Sequence, residues 1–163
     1  MESLKFPAAL TLRRNTGGTA QIRRFMNSLF IDSDIIIDLL ARRENHAEAA
    51  ALMAIIAEKK VAAFTTPIVL ANVDYIITKH SSKAKSRRAV KSLRKKLSIL
   101  PMDAKIVDSA LDSEFSDFED AMQYYAAEKH GIDFIVTRNK KDYAKGSLRV
   151  ITAQEYMDMH ESD

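Results

Sequence analysis

Asp32, Asp117 and Asp120 stand out for where they fall in the chain. Asp32 follows the β-type run Ser28 to Ile31, and Asp117 and Asp120 open a helical pattern whose apolar stripe is Phe118, Met122, Tyr125 and Ala126. An acid at the end of a strand serves packing poorly, and two acids three positions apart project from one side of a first helical turn. Carboxylates gathered in this way repel one another or take up protons unless a cation joins them. Oxygen donors alone are the set that Mg2+ or Mn2+ prefers. Such an ion activates water or steadies a leaving oxygen in phosphodiester hydrolysis. Each acid also has a plainer reading, since Asp is a good N-cap and acids in a first turn, Glu119 included, are favoured by the helix dipole.

A third stretch, Asp133-Phe134-Ile135-Val136-Thr137-Arg138-Asn139-Lys140-Lys141-Asp142-Tyr143, reads as a strand ending at Val136 that delivers Thr137, Arg138 and Asn139 to one edge. The elements needed to bring these segments together are legible in the pattern. Strand candidates are Ser28 to Ile31, Val61 to Thr65, Leu97 to Leu100, Asp133 to Val136 and Arg149 to Ile151. Between them Ala47, Ala50, Leu52, Met53 and Ile56 recur on a helical period, as do Ile68, Ala71, Asn72 and Tyr75. Pro67 suits the first turn of a helix capped by Thr66, Gly131 closes the helix begun near Asp117, and Gly146 marks a turn. Strands alternating with helices imply an α/β fold with a mainly parallel sheet, in which ligands bind beyond the carboxyl ends of the strands.

Composition bounds the chemistry further. The chain has 163 residues, 47% of them hydrophobic and 29% charged, enough for a sizeable core. It has no cysteine, which removes disulfides, thiolate metal sites and cysteine nucleophiles and fits a reducing cytoplasm. No apolar run approaches the roughly 20 residues of a membrane span. The four histidines are scattered without ligand spacing. The net charge of +3 is small, but its distribution is uneven. Lys79 to Lys96 is basic without one acid, whereas Asp103 to Asp120 carries seven acids and one lysine. A cation site beside a polyanion-binding surface would show this pairing, and so would two solvated helix faces. Residues 1–25 differ in texture, with Arg13, Arg14, Arg23 and Arg24 and the Gly17-Gly18 pair. They read as an N-terminal extension, a leader or a basic arm, with Met26 as an alternative start and 26–163 as one domain.

Phe30-Ile31-Asp32 leading into Ile35-Ile36-Ile37-Asp38-Leu39-Leu40, then Asp117-Phe118-Glu119-Asp120-Ala121-Met122-Gln123, then Ile135-Val136-Thr137-Arg138-Asn139-Lys140-Lys141-Asp142-Tyr143, resembles a PIN domain, and within that family the VapC-like toxin branch. The resemblance implies a three-layer α/β/α fold with a central, mainly parallel sheet of four to five strands. It also implies a Mg2+- or Mn2+-dependent ribonuclease, commonly a cytoplasmic homodimer, with RNA as substrate and a cognate antitoxin protein as partner. Matched by position, Asp32 and Asp120 are the family's first and third acids. Asn72 stands where many members carry an acid on the helix after the second strand, and Asn139 where a fourth acid often follows the Thr-Arg pair. Asp117 is then the compensating acid and metal ligand, with Asp38 second. Thr137, Asn139, Asn72 and Asp38 would orient water or phosphate. Arg138, with Arg87, Arg88 and Lys91 of the basic stretch, would bind RNA phosphates, unless Arg138 pairs with Glu119 or Asp142 and serves the scaffold. The alternative function is a catalytically decayed PIN-like module that binds RNA or protein, because an amide cannot act as a general base.

Overall fold

The computed structural model describes residues 27–161, so the expectations for residues 1–25 lie outside the described part. Five strands, β1 (Ser28–Ile31), β2 (Ala62–Thr65), β3 (Ser98–Ile99), β4 (Phe134–Val136) and β5 (Arg149–Ile151), form one sheet in the order β3-β2-β1-β4-β5. Every pairing is parallel. Among the described residues there are seven α-helices: α1 (Ser33–Leu40), α2 (His46–Ala57), α3 (Pro67–His80), α4 (Lys83–Lys96), α5 (Ala104–Leu111), α6 (Phe118–Lys129) and α7 (Ala153–Glu161); the first six, in pairs, make the crossovers that parallel pairing requires before β2, β3 and β4, and α7 follows β5. A 3-10 turn spans Lys140–Tyr143. The result is the expected three-layer α/β/α architecture with a wholly parallel sheet. No helix among the described residues is long and apolar enough to cross a membrane.

Each strand candidate is found, trimmed at the ends. Val61, Leu97, Leu100 and Asp133 flank their strands, and β3 shrinks to two residues at the sheet edge. The central strands explain the lack of polar alternation in sequence: Leu29, Phe30, Ile31, Ile135 and Val136 are fully buried, as expected when helices cover both faces of a parallel sheet. The two central strands are also tied at their start, where Asp133 Oδ2 accepts from the Ser28 amide at 2.7 Å. Helix punctuation follows the sequence closely. Thr66 caps α3 by accepting from the Val69 amide at 3.3 Å with Pro67 in the first turn. Gly131, at φ +65°, takes the left-handed conformation just beyond α6.

Gly146 serves a purpose beyond a turn. A Cβ built there would lie 2.0 Å from Cε2 of Tyr124. That ring has nowhere to go, because its buried hydroxyl accepts from the amides of Ser147 at 2.7 Å and Leu148 at 3.3 Å and donates to Glu128 at 3.0 Å. Gly146→Ala is therefore expected to destabilise by about 3 kcal/mol, the upper end for overpacking, and to lower the Tm by roughly 6–12 °C in thermal denaturation. A loss under about 2 °C would mean that the ring is free to move.

Candidate active site

β1 and β4 end side by side, Ile31 opposite Val136, so the residues that follow, Asp32 and Thr137, emerge together at the carboxyl edge of the sheet. Asp32 is the N-cap of α1. Its Oδ1 accepts from the Ser33 amide at 2.6 Å and its Oδ2 from the Thr137 hydroxyl at 3.0 Å. The residue is 6% exposed, and burial together with the neighbouring charge of Asp34 pushes its carboxyl up to about 6. The same Thr137 hydroxyl lies 3.1 Å from Asp34 Oδ2, which also accepts from the Arg138 amide at 2.9 Å. A hydroxyl has one hydrogen, so the two carboxyls compete for it. Asp34 Oδ1 is buried without a hydrogen-bond partner among the described residues, and burial raises this carboxyl too.

Helix α6 supplies the second acid. Asp117 caps it, with Oδ1 accepting from the amides of Glu119 at 2.8 Å and Asp120 at 3.1 Å. The capping reading of Asp117 thus holds for one oxygen. Asp120 is partly buried, and its carboxyl is pushed up to about 7 by desolvation, then by the charges of Asp32, Asp117, Asp142 and Glu119. Every leading influence on Asp120 is burial or another carboxylate. Beneath the two acids lies Tyr143, fully buried, whose hydroxyl donates to Gln123 Oε1 at 3.3 Å. Desolvation and the carboxylates of Asp32 and Asp120 hold its phenol far above the ordinary tyrosine range. Gln123, also fully buried, donates to Glu119 Oε1 at 3.1 Å, and Asn72 of α3 donates to the same oxygen. Asn139 sits at the rim, its backbone amide on Thr137 Oγ1 at 3.2 Å and its side-chain amide on Asp142 at 2.7 Å.

Two expectations change. Asp38 does not face water or phosphate: it is fully buried and its oxygens receive Arg138 Nη1 at 2.8 Å and Asn45 Nδ2 at 3.4 Å. It lies well inside α1, on the side turned toward the segment after β4, where a lone buried charge has to be paired. Correspondingly, Arg138 pairs with Asp38 rather than with Glu119 or Asp142. Arg87, Arg88 and Lys91 are exposed on α4, with Arg87 Nε 3.3 Å from Asp74. Of the histidines, His46 and His130 are held against the carbonyls of Leu39 and Ala126 at 2.9 and 2.8 Å. Asp34, Glu119, Gln123 and Tyr143 have no site role in the sequence reading. A polar Gln one turn after Asp120, placed among apolar helix positions, is the one signal that points to the buried network.

The donors at this edge are all oxygens, Asp32 and Asp120 with the hydroxyl of Thr137 between strand end and helix. Among the described residues no three acids or histidines close on one point to cage an ion. Two carboxylates fit Mg2+, which keeps several waters and takes one or two protein carboxylates, better than a cation that demands a full protein shell. The raised carboxyls also make a claim about pH. In the folded state Asp32 and Asp120 hold protons that the unfolded chain has released, so the stability they confer is present at acid pH and is lost as pH rises from about 4 through about 7. In EDTA, the Tm is expected to be several degrees higher at about pH 5.5 than at about pH 7.5, and Asp120→Asn is expected to flatten that slope.

A parallel sheet whose first and fourth strands deliver an acid and a threonine beside a second acid from a helix N-terminus defines a class. The PIN domain family model matches residues 28–141, and the chain belongs to the PIN domain family. It is similar to Ribonuclease VapC1 of Aquifex aeolicus, 30% identical over 139 residues that span 80% of this chain and 95% of the relative. Solved structures share the fold. VapBC2 of Rickettsia felis, bound to a promoter DNA fragment, superposes with a TM-score of 0.59 at 16% identity over 77% of this chain and 98% of its own. VapC20 of Mycobacterium tuberculosis, a toxin that cleaves the sarcin-ricin loop, gives 0.59 at 18% identity over 72% and 95%. A toxin-antitoxin complex from Klebsiella pneumoniae gives 0.57 at 24% identity over 77% and 97%.

Proposed function

We propose that this protein is a divalent-metal-dependent endoribonuclease and the toxin of a toxin-antitoxin pair. The observation that carries the reading is the gathering of acids at the carboxyl edge of the sheet, where the paired ends of β1 and β4 set Asp32 against Thr137 at 3.0 Å and the charge of Asp32 acts on the half-buried Asp120. Such crowding is costly for an empty scaffold and is relieved by a cation. Asp32 and Asp120 would hold Mg2+ or Mn2+, with Asp117, whose Oδ1 caps α6, reaching the ion through water. When bound, the ion supplies positive charge against phosphate oxygens and acidifies water at neutral pH. The chain's own groups do the rest. Thr137 and the Ser33 amide fix the rotamer of Asp32, the Asn139 backbone amide holds the Thr137 hydroxyl in place, and Tyr143 closes the floor of the site against water. The low-dielectric floor strengthens every charge interaction above it.

Asn72 and Asn139, which raised the alternative of a decayed module, both engage carboxylates here, Glu119 and Asp142, so negative charge is retained at both places. That favours turnover over binding alone. The test is incubation of structured and single-stranded RNAs and matched DNAs with Mg2+, Mn2+ or EDTA. RNA cleavage that EDTA stops supports the reading, RNA binding without cleavage supports the decayed module, and preferential DNA cleavage would replace the substrate.

Substrate backbone is proposed to meet α4, whose exposed arc holds Arg88 and Lys91 with Lys83, Arg94 and Lys95 and no acid. For Arg88→Ala/Lys91→Ala, the slope of log affinity for single-stranded RNA against log salt is expected to fall by about 1 to 1.5, as for two lost phosphate contacts. An unchanged slope would reduce α4 to a solvated helix face. The same proposal includes a cognate antitoxin, sought as a neighbouring reading frame whose product co-purifies and stops cleavage, a homodimer, checked by sedimentation, and a cytoplasmic location.

A further inference from the structure

The position on α3 at which the family resemblance leads one to expect a carboxylate holds Asn72, and the structure shows what that amide is doing. Its Nδ2 donates to Glu119 Oε1, an oxygen that also receives Gln123 Nε2 at 3.1 Å. A glutamate in a first helical turn ordinarily leaves its side chain in water, where the helix dipole alone favours it. Glu119 is instead partly buried and clamped by two amides from two different helices. The clamp continues inward, for Gln123 is fully buried and its Oε1 accepts from Tyr143, which lies against Asp32. Asn72, Glu119, Gln123 and Tyr143 therefore form one polar chain that runs from α3 through α6 to the floor beneath Asp32.

We infer that Glu119 is a positioning residue that supplies, from α6, the negative charge that an acid at position 72 would supply from α3, with Asn72 serving as its clamp. The inference rests on the divalent-cation reading above and names a part of that site. Its physical content is an exchange. An aspartate at position 72 would lose the donor that holds Glu119 and set two carboxylates against each other, whereas Asn72 with Glu119 places one charge and one donor at the same contact. If charge is what the site needs there, the pair can be reversed: an aspartate on α3 as acceptor and a glutamine on α6 as donor keep the charge and the bond between the two helices, with the Gln123 amide turned over so that its oxygen meets the new donor and its NH2 donates to the Tyr143 hydroxyl.

The test uses the full chain stripped of metal, with Mn2+ alone as ligand in calorimetric titration and thermal denaturation in EDTA as a second readout. Glu119→Gln is expected to weaken Mn2+ binding by roughly 10-fold, the scale of losses from groups around a metal site. Asn72→Asp alone is expected to lower the Tm in EDTA at about pH 7.5, through the repulsion of two facing carboxylates, and not to tighten Mn2+. The double variant Asn72→Asp/Glu119→Gln is expected to recover both the Tm and an Mn2+ affinity within about 3-fold of wild type, since the coupled pair is restored. Unchanged Mn2+ affinity in Glu119→Gln, tighter binding in Asn72→Asp alone, or a double variant no better than Glu119→Gln would overturn the inference. Asp32→Asn separates this failure from a deeper one. If Asp32→Asn loses Mn2+ and Glu119→Gln does not, only the role of Glu119 falls. If the wild type binds no Mn2+, the cation reading falls with it.

Discussion

Asp32→Asn and Asp120→Asn are each expected to reduce RNA cleavage by on the order of 10^3-fold, equivalent to about 4 kcal/mol of lost transition-state stabilisation. Both residues meet at the carboxyl edge of β1 and the start of α6, and the exchange of a carboxylate for an amide removes that residue's negative charge from any cation held there. The fold should not suffer. In Asp32→Asn the amide oxygen can still accept from Ser33 or Thr137, and either variant removes a carboxylate whose ionisation burial opposes. In EDTA at about pH 7.5 both variants are accordingly expected to melt at or above the wild-type temperature. Loss of activity without loss of stability is the signature of a site residue. Cleavage that survives in both variants would point to a contaminating nuclease, and variants that fail to fold would assign the two acids to the scaffold.

Arg138→Met is expected to cost about 2–4 kcal/mol of stability. Asp38 is fully buried, and Arg138 Nη1 at 2.8 Å is the only charged partner of its carboxylate among the described residues. Removal of one member of such a pair leaves an uncompensated charge in the interior, for which about 3–5 kcal/mol is typical. The arginine is 43% exposed, so water reaches part of the pair and the lower range applies. The double variant Asp38→Leu/Arg138→Met is expected to recover most of the loss, because no charge is then stranded. RNA affinity supplies the contrast. If Arg138 acts as scaffold, a folded double variant binds RNA as tightly as wild type at all salt concentrations, whereas a phosphate-binding role would lower the salt slope by about 0.7.

How far such behaviour is legible in the amino-acid sequence depends on whether its cause is local. The five strands, the capping of α3 by Thr66 and Pro67, the end of α6 at Gly131 and the placing of Asp32 at a strand end follow from runs, caps and turn residues within a few positions of one another. The parallel sheet follows from the alternation of those elements, and the two acids could be named because strand ends and first helical turns gather at one edge of such a sheet. What the sequence does not carry is the pairing of side chains across distances of 20 to 105 positions: Asp38 with Arg138, Asn72 with Glu119, Gln123 with Tyr143, Thr137 with Asp32. Asp38 and Arg138 read as groups for solvent or substrate because an acid and a base look alike in sequence whether they meet water or each other. Gly146 makes the same point for packing, since its need for a missing Cβ comes from the ring of Tyr124, which only the folded chain brings to the place a Cβ would occupy. Local propensity determined which elements exist and which edge of the sheet receives Asp32 and Thr137. Tertiary packing decided which carboxylates gather beside other acids and which is paired with an arginine, because burial and partnership, set by contacts between distant segments, govern what a carboxylate can do.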